Sequence, residues 1–126
     1  MASQFLTDLV TLDDGNGTTE RLVVDLIYQS DLLDRDIRVP AGFVTDYASV
    51  PIGLWNILPT VGKTDRAAIV HDLLYAVNGV SRAVADAVFA EALDVCGVAA
   101  WRRRIMYLGV RVGGWKAWRK YRTEAV

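Results

Sequence analysis

His71 is the only histidine of the 126-residue chain, and it is followed directly by Asp72, with Tyr75 four residues after it. Residues four apart lie on one face of a helix, so a helical segment would place this imidazole and this phenol side by side. An imidazole whose N–H is bonded to a carboxylate serves as a general base or as a metal ligand. A single histidine excludes a three-histidine metal centre, and any cation bound here would have mainly oxygen ligands.

The pattern around this histidine predicts two antiparallel helices joined by a short turn. The first runs from residue 64 to about 77 and the second from 82 to 95, with Asn78-Gly79 in the turn between them. Asp72 lies seven residues before Gly79 and Asp86 lies seven residues after it. At a rise of about 1.5 Å per residue, both lie about 10 Å from the turn. The hairpin therefore predicts a seam between the helices at which the imidazole lies within reach of one or two of these carboxylates.

The same spacing has a structural interpretation. A lone histidine in an alanine-rich helix is often a buried residue whose hydrogen bonds are satisfied. Asp86 also lies four residues after Arg82, so the two side chains can pair on their own helix. The spacing leaves the functional and the structural interpretation open.

The elements around the hairpin predict an α+β fold, with an N-terminal antiparallel β meander followed by a structured loop and three helices. Short apolar strands come first, and glycine and proline interrupt the loop over residues 41–63. The third helix is predicted from residue 99 to about 121, with a bend at Gly113-Gly114. We predict a single domain over residues 1–126, with a β-rich and loop part (1–63), a helical part (64–112) and a basic aromatic tail (113–126).

The composition is that of a globular protein, with 52% hydrophobic residues and a net charge of −1. The charge is uneven, because residues 1–100 hold fourteen acids and six bases, whereas residues 101–126 hold eight bases and one acid. A single cysteine, Cys96, excludes an internal disulfide and a four-cysteine zinc site. We expect no signal peptide and no transmembrane segment, since the sequence has neither a charged leader with an apolar run nor a long apolar stretch.

The basic tail alternates cations with aromatic side chains. Such a combination suits a protein interface, an anionic membrane face or nucleic acid. The alternative is an amphipathic helix that packs its aromatic residues on the core. For the residues beyond Gly113-Gly114 we predict an interaction surface, formed by Trp115, Lys116, Trp118, Arg119, Tyr121 and Arg122.

Two motifs resemble those of the domain-of-unknown-function family 1353. The first spans Val39 to Pro51 and reads VPAGFVTDYASVP, and the second spans Ala67 to Tyr75 and reads AAIVHDLLY, with Ala85-Asp86 and Phe89 on the second helix. The resemblance covers roughly residues 5–112 and implies a phage or prophage origin, without implying an activity. We therefore expect the protein in the host cytoplasm during phage production, with incorporation in the virion as a further expectation.

The second motif is also similar to secretory phospholipases of the A-two type and their parvoviral capsid relatives. In those enzymes the histidine activates water, the adjacent aspartate binds calcium, and an aspartate on the partner helix orients the histidine. The similarity implies that His71 is the general base, Asp86 the orienting carboxylate, Tyr75 a member of the same hydrogen-bond network, and Asp72 a calcium ligand. Those phospholipases complete the calcium site with a glycine-rich loop, whereas residues 58–63 hold a single glycine.

Asp46 is a further candidate, in the segment TDYAS over residues 45–49. It is either a second metal ligand or base beside His71, or it caps a turn together with Ser49 through local backbone hydrogen bonds. The sequence favours neither interpretation over the other.

From these residues we expect a phage-encoded hydrolase with a His-Asp centre, with calcium as its candidate cofactor. Its substrate would be a host envelope component, either a phospholipid ester or peptidoglycan. The alternative is a non-enzymatic tail, connector or capsid subunit with a structural His-Asp network, whose tail docks on phage structural proteins or on another copy. We expect no nucleic acid partner. An exposed imidazole in a concave pocket favours the enzyme, and a sealed imidazole with every polar atom paired favours the structural subunit.

Overall fold

Short antiparallel strands come first in the chain and helices follow, which confirms the predicted α+β fold. The computed structural model describes residues 2–15, 18–47, 49–57, 64–77 and 79–124. The strands are β1 (Gln4–Phe5), β2 (Thr11–Asp13), β3 (Glu20–Leu22), β4 (Leu26–Ser30), β5 (Arg35–Val39) and β6 (Val44–Thr45). A short 3₁₀ helix (Ile52–Asn56) precedes α1 (Thr64–Ala76), α2 (Arg82–Val95), α3 (Ala100–Gly113) and α4 (Trp115–Glu124).

The strands form two three-stranded antiparallel sheets and not one meander, with the orders β1-β4-β5 and β2-β3-β6. The central strand β4 buries Leu26, Tyr28 and Ser30 at alternate positions, so one of its faces belongs to the core. β1 pairs with β4 at Phe5 and Tyr28. The β2–β3 hairpin, which lies between them in sequence, is therefore excluded from this sheet and pairs with β6.

Glu91 on α2 joins the first sheet to the helices. One of its carboxylate oxygens accepts hydrogen bonds from the hydroxyls of Tyr28, at 2.7 Å, and Ser30, at 2.8 Å. The other oxygen accepts the backbone N–H of Leu32 at 2.7 Å. Because hydrogen bonds to a charged acceptor are stronger than those between neutral groups, these three fix the distance between the sheet and α2.

The helix α1 is the central element of the fold, and all nine residues from Ala67 to Tyr75 are buried. A helix that is enclosed on all sides must be apolar on all sides or supply partners for its polar groups. Two polar side chains, His71 and Asp72, lie in the middle of this run. The helix packs against α2, α4 and β5. The partners of the two polar side chains come from α2, α4, β6 and the loop after β6.

The second helix has the bounds predicted from the sequence, and the predicted third helix is divided in two. Ser81 is the N-cap of α2, and its hydroxyl accepts the backbone N–H of Val84 at 3.2 Å. Gly114 lies between α3 and α4, and the Tyr75 hydroxyl is so close to this glycine that it would collide with a Cβ atom there. Among the described residues, no helix is both long enough and apolar enough to cross a membrane.

Candidate functional site

His71 lies in the middle of the buried run of α1, and 0% of its surface is exposed. Its Nε2 atom is 2.7 Å from Oδ1 of Asp86, and its Nδ1 atom is 3.0 Å from Oγ of Ser49. The imidazole packs on the rings of Tyr75 and Phe89, with centroid distances of 4.3 and 4.7 Å. Both nitrogens therefore have partners, and the ring is enclosed by aromatic side chains.

The imidazole is neutral, because burial lowers the pKa of His71 below its ordinary value although the Asp86 carboxylate acts in the opposite direction. A neutral imidazole carries one N–H, and the charged carboxylate is the acceptor that holds it. Hydrogen-bond chemistry therefore assigns the proton to Nε2, which donates to Asp86. Nδ1 is then the acceptor, and the Ser49 hydroxyl donates to it.

Asp86 is a buried carboxylate that receives hydrogen bonds on both oxygens. Oδ1 accepts from His71 and from the hydroxyl of Tyr75, the latter at 2.6 Å. Oδ2 is 2.8 Å from a guanidinium nitrogen of Arg111 and 3.4 Å from one of Arg82. Burial alone would raise the pKa of Asp86, but the donors from His71, Tyr75 and Arg111 outweigh it and hold the pKa below its ordinary value. The negative charge is therefore kept, and two cations at the edge of the core compensate for it.

The bonds from Ser49 through His71 to Asp86 link a hydroxyl, an imidazole and a carboxylate in series. Catalytic triads use this order, in which the carboxylate orients the imidazole and the imidazole accepts the hydroxyl proton. Such chemistry requires that the hydroxyl or the imidazole touches a substrate. All three side chains here have 0% exposure, so in this conformation the series links buried groups to one another.

Asp72 is bonded on a different side of α1 from His71. Its Oδ2 atom accepts the hydroxyl of Thr45 at 2.8 Å, and its Oδ1 atom accepts the hydroxyl of Tyr121 at 2.9 Å. Thr45 also accepts the backbone N–H of Tyr47 at 3.1 Å, which fixes the direction of its hydroxyl. Burial raises the pKa of Asp72, and the hydroxyls of Thr45 and Tyr121, with a smaller effect from Ser49, reduce the rise without cancelling it. The two acids of the motif therefore have different main hydrogen-bond donors, and Ser49, the partner of His71, also acts on Asp72.

The predicted metal ligands Asp72 and Asp46 have other partners in the described part of the chain. Both oxygens of Asp72 accept hydroxyl groups, whereas Asp46 is exposed and lies 3.8 Å from the ammonium of Lys120. Within the described ranges, no three His, Cys, Asp or Glu residues are grouped as a metal would require. Residues 58–63, which replace the glycine-rich loop of the phospholipases, lie outside the described residues. Calcium binding stays a prediction from the motif.

The predicted interaction surface of the tail is divided between two faces of α4. Trp118 packs edge-on against Tyr75 at 5.2 Å, and the guanidinium of Arg122 lies 3.6 Å from the centroid of the Trp118 ring. Arg122 also donates to the carbonyl of Tyr75 at 2.6 Å, while Tyr121 reaches Asp72. These three side chains close over the buried network. The other three, Trp115, Lys116 and Arg119, are exposed.

The loop lies at the site as predicted, but Thr45 and Ser49 make the contacts and Asp46 does not. The alternation of strand β6 shows why, because Val44 is exposed, Thr45 is buried and Asp46 is exposed again. This alternation is not evident from the sequence, since the apolar Val44 is the exposed residue and the polar Thr45 is the buried one. The contact between Asp86 and Arg111 had no sequence signal either, because it depends on how α3 crosses α2.

A comparison with protein families gives a match over most of this fold. The model of the family described as "Protein of unknown function (DUF1353)" matches residues 20–110. This chain belongs to the DUF1353 family. No curated protein and no solved structure matches the chain.

The DUF1353 match includes both motifs and the α1–α2 hairpin, and it ends within α3. Ser49, His71 and Asp86 therefore lie inside the part that defines the family. Tyr121 and Arg122, which close the network from α4, lie outside that part. The structure thus brings together the predicted residues His71, Tyr75 and Asp86, and their catalytic role stays a prediction.

Proposed function

We propose that this DUF1353 protein is a non-enzymatic assembly subunit of a phage particle, with a structural His-Asp network and a docking face on its C-terminal helices. The observation that carries the proposal is the complete enclosure of His71, which has no exposed surface and a partner at each nitrogen. A general base has to reach the proton that it removes, either directly or through a water molecule. An imidazole that is enclosed, and whose two nitrogens both have hydrogen-bond partners, instead holds the surrounding elements in a fixed arrangement.

The network links parts of the chain that are far apart in sequence, as expected for a structural role. Ser49 comes from the loop after β6, Asp86 from α2 and Arg111 from α3. Each hydrogen bond inside the core is stronger than at the surface, and an unpaired member would be costly. The network therefore selects one arrangement of the three helices, which an assembly subunit needs in order to present a constant outer surface.

The rival hypothesis is a hydrolase acting on phospholipid ester or peptidoglycan. One observation favours it, namely the order of Ser49, His71 and Asp86, which matches a nucleophile, a base and an orienting acid. The hypothesis requires a conformation in which the Ser49 hydroxyl or the imidazole meets solvent. An assay of activity separates the two proposals more directly than any further comparison of geometry.

The test compares the wild-type protein with the variants Ser49→Ala and His71→Gln on anionic liposomes and on peptidoglycan sacculi, with and without millimolar calcium. We expect the background rate from all three proteins. Turnover by the wild type that is absent in a variant shown to be folded by circular dichroism would overturn the proposal. Labelling of Ser49 by a fluorophosphonate probe would do the same, because the probe requires an accessible and activated hydroxyl.

The assembly role makes a positive prediction as well. Mass spectrometry of purified particles and assembly intermediates of the encoding phage is expected to find the protein in a constant ratio to a known structural subunit. The Ser49→Ala variant keeps the pair between His71 and Asp86 but leaves Nδ1 of His71 without its partner, so particle yield is expected to fall only as far as the stability of the variant falls. Absence of the protein from both particles and intermediates would contradict the assembly role.

A further inference from the structure

The outer face of α3 carries a row of large apolar side chains that the fold does not cover. Trp101, Ile105, Leu108 and Val112 on α3, and Trp115 at the start of α4, are between 39% and 77% exposed. We call these five residues the apolar row. On the other side of the same helix, Met106 and Val110 are fully buried in the core. The helix α3 therefore has one apolar face that is packed and a second one that is open to solvent.

The spacing of the apolar row indicates the shape of what would cover it. The intervals between successive members are four, three, four and three residues. This average of 3.5 residues is the repeat of a seam between two helices, in which each side chain enters a hole on the partner helix. A lipid surface favours a wider apolar face than such a narrow row provides. The part of the row on α3, from Trp101 to Val112, is about 17 Å long at a rise of about 1.5 Å per residue.

The charges around the apolar row indicate the chemistry of the partner. Residues 100–123 hold eight bases and no acid. Arg104 is exposed between Trp101 and Leu108, and Lys116 and Arg119 each lie 5.7 Å from the ring of Trp115. In the described part of the chain these three cations form no ion pair. Two copies facing each other would bring like charges together, whereas an acidic partner would pair with them.

We infer that the apolar row binds an acidic amphipathic helix of a neighbouring protein. Apolar residues of that helix would pack between the members of the row. Carboxylates beside its seam would pair with Arg104, Lys116 and Arg119. An acidic helix is thus the class of partner for the docking face. That this helix belongs to another subunit of the particle rests on the proposed assembly role.

The test uses the full chain and a synthetic helical peptide of about three heptads, with leucine at the seam positions and glutamate beside them. Titration calorimetry is expected to give a micromolar complex whose affinity falls with salt. The variant Leu108→Asp is expected to bind at least about tenfold more weakly, because it removes a buried leucine contact and adds a like charge. Arg104→Glu is expected to weaken binding about fivefold or more through the loss of a charge pair.

A matched control and a control peptide make the test specific. Leu12→Asp changes an equally exposed leucine on β2, away from α3, and is expected to leave the affinity unchanged. A peptide with lysine in place of the glutamates is expected not to bind. Both Leu108 and Leu12 are exposed, so each variant is expected to unfold at the wild-type temperature, and this is measured first.

Three results would overturn the inference. The first is no binding of the acidic peptide by the wild type up to about 100 µM, which is weaker than a specific helix pair would give. The second is wild-type self-association in sedimentation that Leu108→Asp abolishes, because the occupant would then be a second copy. The third is binding to vesicles of phosphatidylglycerol and phosphatidylcholine that Leu108→Asp abolishes, because the face would then be a lipid surface. None of these results depends on the hydrolysis assay, so failure of the docking inference and failure of the non-enzymatic proposal are distinguishable.

Discussion

Lowering the pH from 7.5 to 5.5 is expected to destabilise the protein through His71 by at most about 1.4 kcal/mol, the value reached when the folded imidazole stays neutral over the whole range. Burial lowers the pKa of His71 in the folded protein, whereas the unfolded chain has an ordinary imidazole with a pKa of about 6.5. A group with a lowered folded pKa contributes stability above the unfolded pKa and loses it as the pH falls. His71 is the only histidine, so no other imidazole contributes to the change.

The magnitude follows from the protons that the unfolded chain takes up and the folded protein does not. The unfolded imidazole is about one-tenth protonated at pH 7.5 and about nine-tenths protonated at pH 5.5. The difference in bound protons, integrated from pH 5.5 to pH 7.5, equals about one proton over one pH unit. This corresponds to a free energy of about 1.4 kcal/mol. Asp72 acts in the opposite direction, because burial raises its pKa in the folded protein. The quantity compared is therefore the difference between the wild type and His71→Gln, which keeps Asp72.

Urea unfolding followed by tryptophan fluorescence, at both pH values and for both proteins, measures this difference. The glutamine variant is expected to lack this component of at most about 1.4 kcal/mol, since its amide does not titrate. Equal pH dependence in the two proteins would refute the reasoning. If the variant does not fold, NMR titration of the single imidazole in the wild type decides, and an ordinary pKa in the folded protein would show that the ring meets solvent.

Two substitutions test the closure of the network by the last helices. Tyr121→Phe is expected to reduce the free energy of unfolding by about 1.5 kcal/mol, because it removes a hydroxyl donor from the buried carboxylate of Asp72. Gly114→Ala is expected to reduce it by about 2 kcal/mol, because the new Cβ would collide with the hydroxyl of Tyr75 and displace it from Asp86. Both values come from urea unfolding at pH 7.5.

Each of these substitutions has a control in the same chain. Tyr107→Phe removes a half-buried tyrosine hydroxyl for which the described residues provide no hydrogen bond, and Gly53→Ala adds a Cβ where no other atom lies within 4 Å. Both controls are expected to stay within about 0.5 kcal/mol of the wild type. A loss in Tyr107→Phe as large as that in Tyr121→Phe would show that the contact with Asp72 is not the cause. A loss of stability in Gly53→Ala as large as that in Gly114→Ala would show that the collision with Tyr75 is not the cause.

The sequence was sufficient for those parts of the site that depend on local helix geometry. The bounds of α2 followed from Ser81 and Gly97, and counting residues from the hairpin turn placed Asp86 opposite the histidine. Helix rise and period are the same in every context, so such counts carry over to the folded protein. The α+β order of the elements followed in the same way from the positions of the turns and of the apolar runs.

The rest of the site depends on contacts between distant segments, which no local rule gives. The basic and aromatic composition of the tail predicted an outer surface, yet Tyr121 and Arg122 turn inward because the buried run of α1 exposes a carboxylate and carbonyl groups to them. The composition of a helix shows which kinds of surface it can pack against. The elements that surround it in the fold determine which of these it contacts. The division of the strands into two sheets has the same origin, since β1 pairs with β4 over a separation of more than twenty residues.

The distance along the chain between Asp72 and its partner Tyr121 has a consequence for synthesis on the ribosome. The separation is 49 residues, and Arg122 reaches Tyr75 over 47 residues. While a growing chain still lacks these residues, Asp72 and the carbonyl of Tyr75 lack the hydrogen-bond donors that α4 supplies. The core is therefore expected to close only when the final helix has left the exit tunnel. A chain stalled after α2 would be a good target for proteases and chaperones, and a released chain would be resistant to both.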